Sequence, residues 1–577
     1  MLIARRLYVY FIAAVSLGMV VIGLSNLLGL AFMRINEALG GAVIQRSPES
    51  VRRELSLYVA LLIVALPVWL LHWWLAERAV HRPGPEGESE RASVIRALYL
   101  TLVMAAPLPA LITSAVDILG WFFDTLFDVT TTDGGAEQHG MAIALFLVTG
   151  AVITYHASIR RRDTLGGPLD DEAAWLPRLY LYIAAFSGAM LLLFGLADLL
   201  RVMNDALFGT RSIVFERRWW AEPLSSATAR SLVGLVIWGL YWAFSLRTLR
   251  RSDWVGVSER RSALRWFYIY AIVFVSVLLT LRGISSSLDA LFRLILNVPR
   301  NASQGSWARA ILEPLIVAIP FAGFWVYHRL AVQGKAPDEE SAPLAGSLRR
   351  VYTYLVALVG LAFTGVGSAW VLGILIDLLF GGTRTVSVSS LFWRDDVARF
   401  GSFALVGAAA WLWQWNQAER RVAEDEAAER GATTRRFYLY ATLAASLVAI
   451  LVSLAVVIYR VISALLGVSN GPGLVSALSA ALGVVIVAGA LFAYHLTELR
   501  RDLAQREESG LDTVSVPLRL VAPADADIEA TVAQLRMQLP SGYRLERYGS
   551  ARHRVTVPAA TRGTPGDDSQ APVVGVP

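Results

Sequence analysis

"RWFYIYAIVFVSVLLTLRGISSSLDALF", residues 265–292, holds the pattern on which the fold turns. An arginine precedes a Tyr-x-Tyr pair, and a long apolar run follows. Arginine at the end of a span favours the cytoplasmic side, and tyrosine settles at the headgroup level. The stretch is therefore the start of a membrane helix. Its opening recurs as "RRLYVY" (5–10), "RALYLT" (96–101), "PRLYLY" (177–182), "RRVYTY" (349–354) and "RRFYLY" (435–440). The leading tyrosines, Tyr8, Tyr99, Tyr180, Tyr268, Tyr352 and Tyr438, are expected to be interfacial anchors.

Composition agrees with a membrane protein. Hydrophobic residues make up 55% of the 577 and charged residues 17%, where soluble chains carry about a quarter charged residues. Mean hydropathy is +0.52. A span needs roughly 20 apolar residues, and the chain supplies such a run about twelve times. There is no cysteine, which excludes disulfides, thiolate catalysis and cysteine-ligated metals. The net charge of +6 is accounted for by membrane topology, not by nucleic acid. "MLIARRLYVYFIAAVSLGMVVIGL" (1–24) has an apolar run too long for a signal-peptide core, so no cleavable leader is expected. Arginine almost wholly replaces lysine, and alanine is abundant, as in a GC-rich bacterial genome. The expected location is the bacterial plasma membrane.

Each leading helix is followed by a return helix with a common ending: "LHWWLAER" (71–78), "YHASIRRR" (155–162), "YWAFSLR" (241–247), "YHRL" (327–330), "WNQAERR" (415–421) and "YHLTELRR" (494–501). The unit is a helical hairpin, and six in tandem share one orientation because each contains an even number of spans. The segments on the arginine side hold roughly twice the basic residues of the opposite side, which predicts both termini in the cytoplasm. Alternate hairpins are the more regular. Tyr8, Tyr180 and Tyr352 are spaced by 172 and 172, and Tyr99, Tyr268 and Tyr438 by 169 and 170. The predicted fold is an all-α polytopic membrane protein of about twelve transmembrane helices, arranged as three four-helix modules over 1–170, 171–340 and 341–510. A small cytoplasmic α/β appendage is expected over 511–558: a strand at 513–523, a helix at 525–539, and a bent strand or hairpin at 542–558. Residues 559–577 are expected to be a disordered tail.

The arginine-rich Tyr-x-Tyr helix followed by an aromatic-histidine return helix, in tandem over residues 5–500, resembles the bacterial membrane family called domain of unknown function 5671. The resemblance implies the repeated membrane fold and no particular activity. The third and fifth hairpins depart from it, with Trp242 and Asn416 at the histidine position.

Ionisable groups inside spans are candidate functional sites. Arg282 lies about 21 Å along its helix from Tyr268 and requires an acid or a wet cavity. Asp289, Asp117 and Asp198 are candidate partners. Glu313 lies nearby in "ILEPLIVAIPF" (311–321), where Pro314 and Pro320 are compatible with a broken helix of the kind that marks transport sites, as is "APLP" (106–109) in the third helix; the competing reading is the ordinary richness of membrane helices in proline. Arg282, Asp289, Asp117, Asp198 and Glu313 form the candidate intramembrane site. The competing reading is a polar seam at the outer rim. His72, His156, His328 and His495 share one return-helix position near the tyrosines. Interfacial packing against tyrosine is expected there, over ligation of b-type haem.

No Walker loop, H-E-x-x-H or G-x-S-x-G appears, so neither enzymatic activity nor a cofactor is expected. The function favoured from sequence is transport or permeation. The alternative is a membrane scaffold or regulator that contacts a protein partner through the cytoplasmic tail. The lipid bilayer is the expected partner in either case.

Overall fold

The computed structural model describes residues 2–38, 47–129, 135–165, 171–208, 218–260, 262–299, 306–333, 342–380, 392–468, 474–508, 513–518, 528–539, 544–548 and 552–558. The expected disordered tail, 559–577, lies outside them. The chain divides into two compact units, Met1–Trp415 with Ser453–Val485, and Asn416–Val452 with Ile486–Pro577.

The first unit begins with α1 (Leu2–Ala38), α2 (Pro48–Val80), α3 (Pro85–Arg91), α4 (Val94–Ala105), α5 (Leu108–Leu126) and α6 (Gly135–Leu165). It continues with α7 (Asp171–Phe208), α8 (Ala221–Leu249), α9 (Trp254–Arg260), α10 (Ala263–Ile295) and α11 (Trp307–Gln333). Then come α12 (Ala342–Phe380) and most of α13 (Phe392–Glu424). Local chemistry sets several boundaries. Ser47 caps α2 by accepting the Ser50 amide at 3.2 Å, and Pro48 follows at the first turn, where its missing N–H costs nothing. In "APLP" the helix does break: α4 stops at Ala105 and α5 starts at Leu108, because Pro107 and Pro109 have no amide to donate.

Packing follows chain order. α1 rests on α2, α4 and α6; α7 on α8, α4, α10 and α11; α10 on α11 and α12. The α7–α8 crossing depends on glycine, since a Cβ on Gly234 would stand 2.3 Å from the Leu192 amide nitrogen and one on Gly188 would stand 2.5 Å from that of Trp238. Small residues of this kind let membrane helices approach closely. Large apolar side chains such as Phe11, Ile63, Leu240 and Ile319 are more than half exposed. In water that surface is unfavourable; against lipid it is what a spanning helix presents.

Among the described residues eleven helices are long and apolar enough to cross a membrane. Sequence periodicity leads to an expectation of about twelve. The helix that falls short is α13. It is polar at both ends, with Asp395, Asp396 and Arg399 before its apolar stretch and Gln414, Asn416, Gln417 and Glu419 after it. From Leu2 to Glu508 the described chain is all-α and polytopic, as a membrane protein is.

The second unit contains α14 (Glu426–Arg430), the start of α15 (Thr433–Leu465), the end of α16 (Leu474–Glu508) and α17 (Ile528–Gln538). It also contains β1 (Thr513–Leu518), β2 (Arg544–Tyr548) and β3 (Arg552–Pro558), in the order β1-β3-β2. Both pairings are antiparallel, with Val516 opposite Val555 and Glu546 opposite Arg554.

Candidate functional site

α7, α10 and α11 enclose a cavity of about 230 Å³. Asp198 and Arg201 come from α7, Arg282 and Ser286 from α10, and Glu313 with Pro314 from α11; Phe194 and Phe321 supply apolar walls. The helices meet closely here because α10 carries Gly283, where a Cβ would lie 2.6 Å from the Pro314 carbonyl oxygen.

The charges form a chain. Arg201 donates to Asp198 and, at 3.2 Å, to Glu313. Arg230 of α8 holds the other Asp198 oxygen at 3.0 Å. Arg309 pairs with Asp205 at 2.7 Å and with Glu313 at 3.5 Å. Arg282 is exposed, and no carboxylate among the described residues lies within ion-pair distance of it. Four arginines therefore face three carboxylates, and the uncompensated charge is on Arg282.

The expected pairing of Arg282 with Asp289, Asp117 or Asp198 is thus not made. Asp289 lies two helical turns beyond it and is held at 3.0 Å by Arg293, which also bonds Asp395. Asp198 is taken by Arg201 and Arg230. Asp117 stands on α5, packed against α6 and α8, and does not line the cavity. Of the five residues singled out from sequence, Arg282, Asp198 and Glu313 come together; Asp289 and Asp117 do not. Of the two readings of the α11 prolines, the broken helix is not the one observed. The helix runs unbroken from Trp307 to Gln333 through Pro314 and Pro320, and its neighbours α7 and α10 brace it.

At the other end of the spans, four of the six leading tyrosines turn inward. Tyr99, Tyr180, Tyr268 and Tyr438 are at most 3% exposed, whereas Tyr8 is 59% exposed. Lipid-facing anchorage is therefore confined to a minority of them, because the partner hairpins cover the rest. Tyr8, Tyr99 and Tyr438 approach the Nε2 atoms of His72, His156 and His495 at 3.4, 3.4 and 3.1 Å. Each of these histidines places Nδ1 against the carbonyl four residues earlier. Tyr268 instead accepts from Trp238 at 3.2 Å, and the His328 ring centroid lies 5.9 Å from its own. Trp242 matches Trp73 and not the histidine: their indole N–H groups donate to Tyr155 at 2.7 Å and Tyr327 at 2.8 Å, and both rings pack on the leading tyrosine of the next hairpin. The histidine position of the third and fifth hairpins, expected to hold Trp242 and Asn416, is therefore filled by Tyr241, which bonds Tyr180, and by Gln414, which donates to Tyr352.

Sequence reasoning missed the buried ion cages beside these rings. Arg96 is wholly buried. It donates to Asp163 at 2.7 Å, to Glu77 at 2.7 Å and to Tyr10 at 3.2 Å, with its guanidinium 5.6 Å from the Trp73 ring centre. Tyr10 in turn reaches Glu90, which Arg6 binds at 2.7 Å. The second unit repeats the cage. Arg435, also wholly buried, donates to Asp502 at 2.7 Å and Glu419 at 2.9 Å, and Arg430 binds Asp502 at 2.6 Å. A usable signal was present: Glu77 and Glu419 both stand in Ala-Glu-Arg, and Asp163 and Asp502 both follow the return histidine by seven residues.

The family model described as domain of unknown function (DUF5671) matches the chain over residues 6–152, 178–323 and 350–490. No curated protein and no solved structure matches it. The matched segments begin 172 residues apart, at the same interval as Tyr8, Tyr180 and Tyr352. The chain therefore belongs to the DUF5671 family, whose domain it carries three times in tandem.

Proposed function

We propose that the chain is a transport- or permeation-class membrane protein that engages an anionic amphiphile at the α7–α10–α11 cavity. The observation that carries this reading is Arg282, a cation at the cavity with no carboxylate of the described residues in ion-pair reach, beside apolar walls from Phe194 and Phe321. A charged arginine at depth in a bilayer costs a few kcal/mol on insertion scales. A ligand with an anionic head and an apolar body offsets that cost, and a neutral solute does not. The reading takes α13 as the twelfth span. It arranges six parallel hairpins as three four-helix modules, with both termini in the cytoplasm of a bacterial plasma membrane.

Reconstituted vesicles carrying a fluorescent anionic phospholipid test the proposal through the rate at which label becomes accessible to an external quencher. Wild-type protein is expected to accelerate that movement and Arg282→Leu to abolish it while still folding. Movement no faster than in empty vesicles refutes the reading. The second reading, a scaffold or regulator acting through its tail, draws on the three-stranded sheet that follows the last span. It is favoured if truncation after residue 508 removes function while flux is absent throughout.

A further inference from the structure

The three repeats place an arginine three residues before the second leading tyrosine: Arg96, Arg265 and Arg435. The outer two are caged by carboxylates, as described above. The middle one is not. Aligned on the tryptophans Trp73, Trp242 and Trp415, the cage glutamates Glu77 and Glu419 correspond to Leu246. Aligned on His156, His328 and His495, the cage aspartates Asp163 and Asp502 correspond to Lys335, the chain's single lysine, which lies outside the described residues. Both acids are absent from the second repeat, and one is exchanged for a base.

Arg265 nevertheless stays inside the protein. It is 8% exposed, its Nε has no hydrogen-bond partner, and it makes no ion pair among the described residues. It lies over the ring of its neighbour Trp266, 4.9 Å from the centre. Glu259, the acid nearest in kind, is engaged elsewhere: Arg178 binds it at 3.0 Å and Tyr182 donates to it. Tyr182, whose counterpart Tyr10 accepts from Arg96, is here turned to Glu259 and Ser245. Among the described residues two arginines thus face one carboxylate. In the first repeat Arg6, Arg96 and Arg162 face Glu77, Glu90 and Asp163, and the count is even. Arg265 also sits in the first turn of α10, whose N-cap Ser262 makes no side-chain capping bond. A helix start with free amides favours negative charge.

We propose that Arg265 is the core of an oxyanion site in which an external phosphate group takes the place of the cage carboxylates. A guanidinium presents donors in a planar fork that matches phosphate oxygens two at a time. A buried one left unmatched is strongly unfavourable. Either a phospholipid headgroup or free inorganic phosphate has this chemistry. The site lies 17 residues from Arg282 on the same helix, about 25 Å away, and is independent of the flux reading given above.

The test measures the thermal midpoint of the full chain in nanodiscs of phosphatidylcholine, in the same discs with inorganic phosphate added, and in discs containing phosphatidylglycerol. Wild-type protein is expected to gain roughly 2 °C or more from an anion that binds the native state in excess. A gain from inorganic phosphate in the first lipid identifies a free anion as sufficient; a gain only with phosphatidylglycerol identifies the headgroup. Arg265→Gln is expected to lose the gain. Leu246→Glu rebuilds half of the missing cage, so it is expected to raise the midpoint without anion and to lose the response to it. No gain in wild-type protein from either source overturns the proposal, as does a gain that persists in Leu246→Glu. Because Leu246→Glu keeps the arginine, it decides the matter even if Arg265→Gln fails to fold.

Discussion

Replacing Arg96 by methionine tests whether the buried cages hold the helices together. Its side chain is wholly buried, and it satisfies Asp163 and Glu77 at 2.7 Å each. Removing one member of such a set leaves charge buried without a partner, at a cost of about 3–5 kcal/mol. Arg162 lies 2.9 Å from Glu77 and 3.2 Å from Asp163 and is 43% exposed. It therefore continues to neutralise part of the negative charge, which places the expected loss near the lower bound, about 3 kcal/mol. Removing the whole set should behave differently. Replacing a buried ionic group by apolar side chains of similar volume is often neutral or stabilising, so Arg96→Met with Glu77→Leu and Asp163→Leu is expected within about 1 kcal/mol of wild type. Tyr10 keeps Glu90 as a partner in that variant. Reversible unfolding in bicelles, followed by tryptophan fluorescence, measures all three proteins. The triple variant should be more stable than the single one, a strongly non-additive result expected only of groups in contact. A neutral Arg96→Met, or a triple variant worse than the single, would refute the cage argument.

At the α7–α8 crossing, Gly234→Ala is expected to cost about 1–3 kcal/mol, because the new methyl meets backbone with no room to shift. Gly239→Ala, with nothing within 4 Å, should be neutral or gain up to about 1 kcal/mol of helix propensity; equal effects at the two sites would contradict the packing. Reporter fusions after residues 130, 300 and 470 are expected to read outside the cytoplasm, and cytoplasmic activity at two of them would overturn the orientation. The purified protein should show no Soret band, since His156 and His495 have both ring nitrogens engaged; a strong band lost on changing His156 and His328 to alanine would reverse that view.

Much of the architecture lay open in the sequence. The alternation of arginine, tyrosine and apolar run is a local pattern, and each helix announces its length and ends without reference to its neighbours. The 172-residue period followed from counting, and the family segments fall on it. The break at Pro107 was legible because proline acts on its own backbone. Pro314 sits in the same kind of pattern, yet α11 continues through it, because continuity there rests on the helices packed around it.

Partnership was the part that local pattern left open. Arg6 and Arg96 occupy nearly the same place in the motif. One is held near the surface by Glu90 and the other is sealed among Asp163, Glu77 and Tyr10. Asp289 lies on the same helix as Arg282 yet binds Arg293 and leaves Arg282 to the cavity. An apolar helix is specified by its own residues, since burial in lipid asks only that each side chain be apolar and each backbone bond be made within the helix. An ion pair is specified by which helix faces which, at a precision of about 1 Å in hydrogen-bond length. The sequence alone determined the repeat and eleven of the expected spans; only the tertiary structure decided which charges meet, because that choice belongs to no single helix.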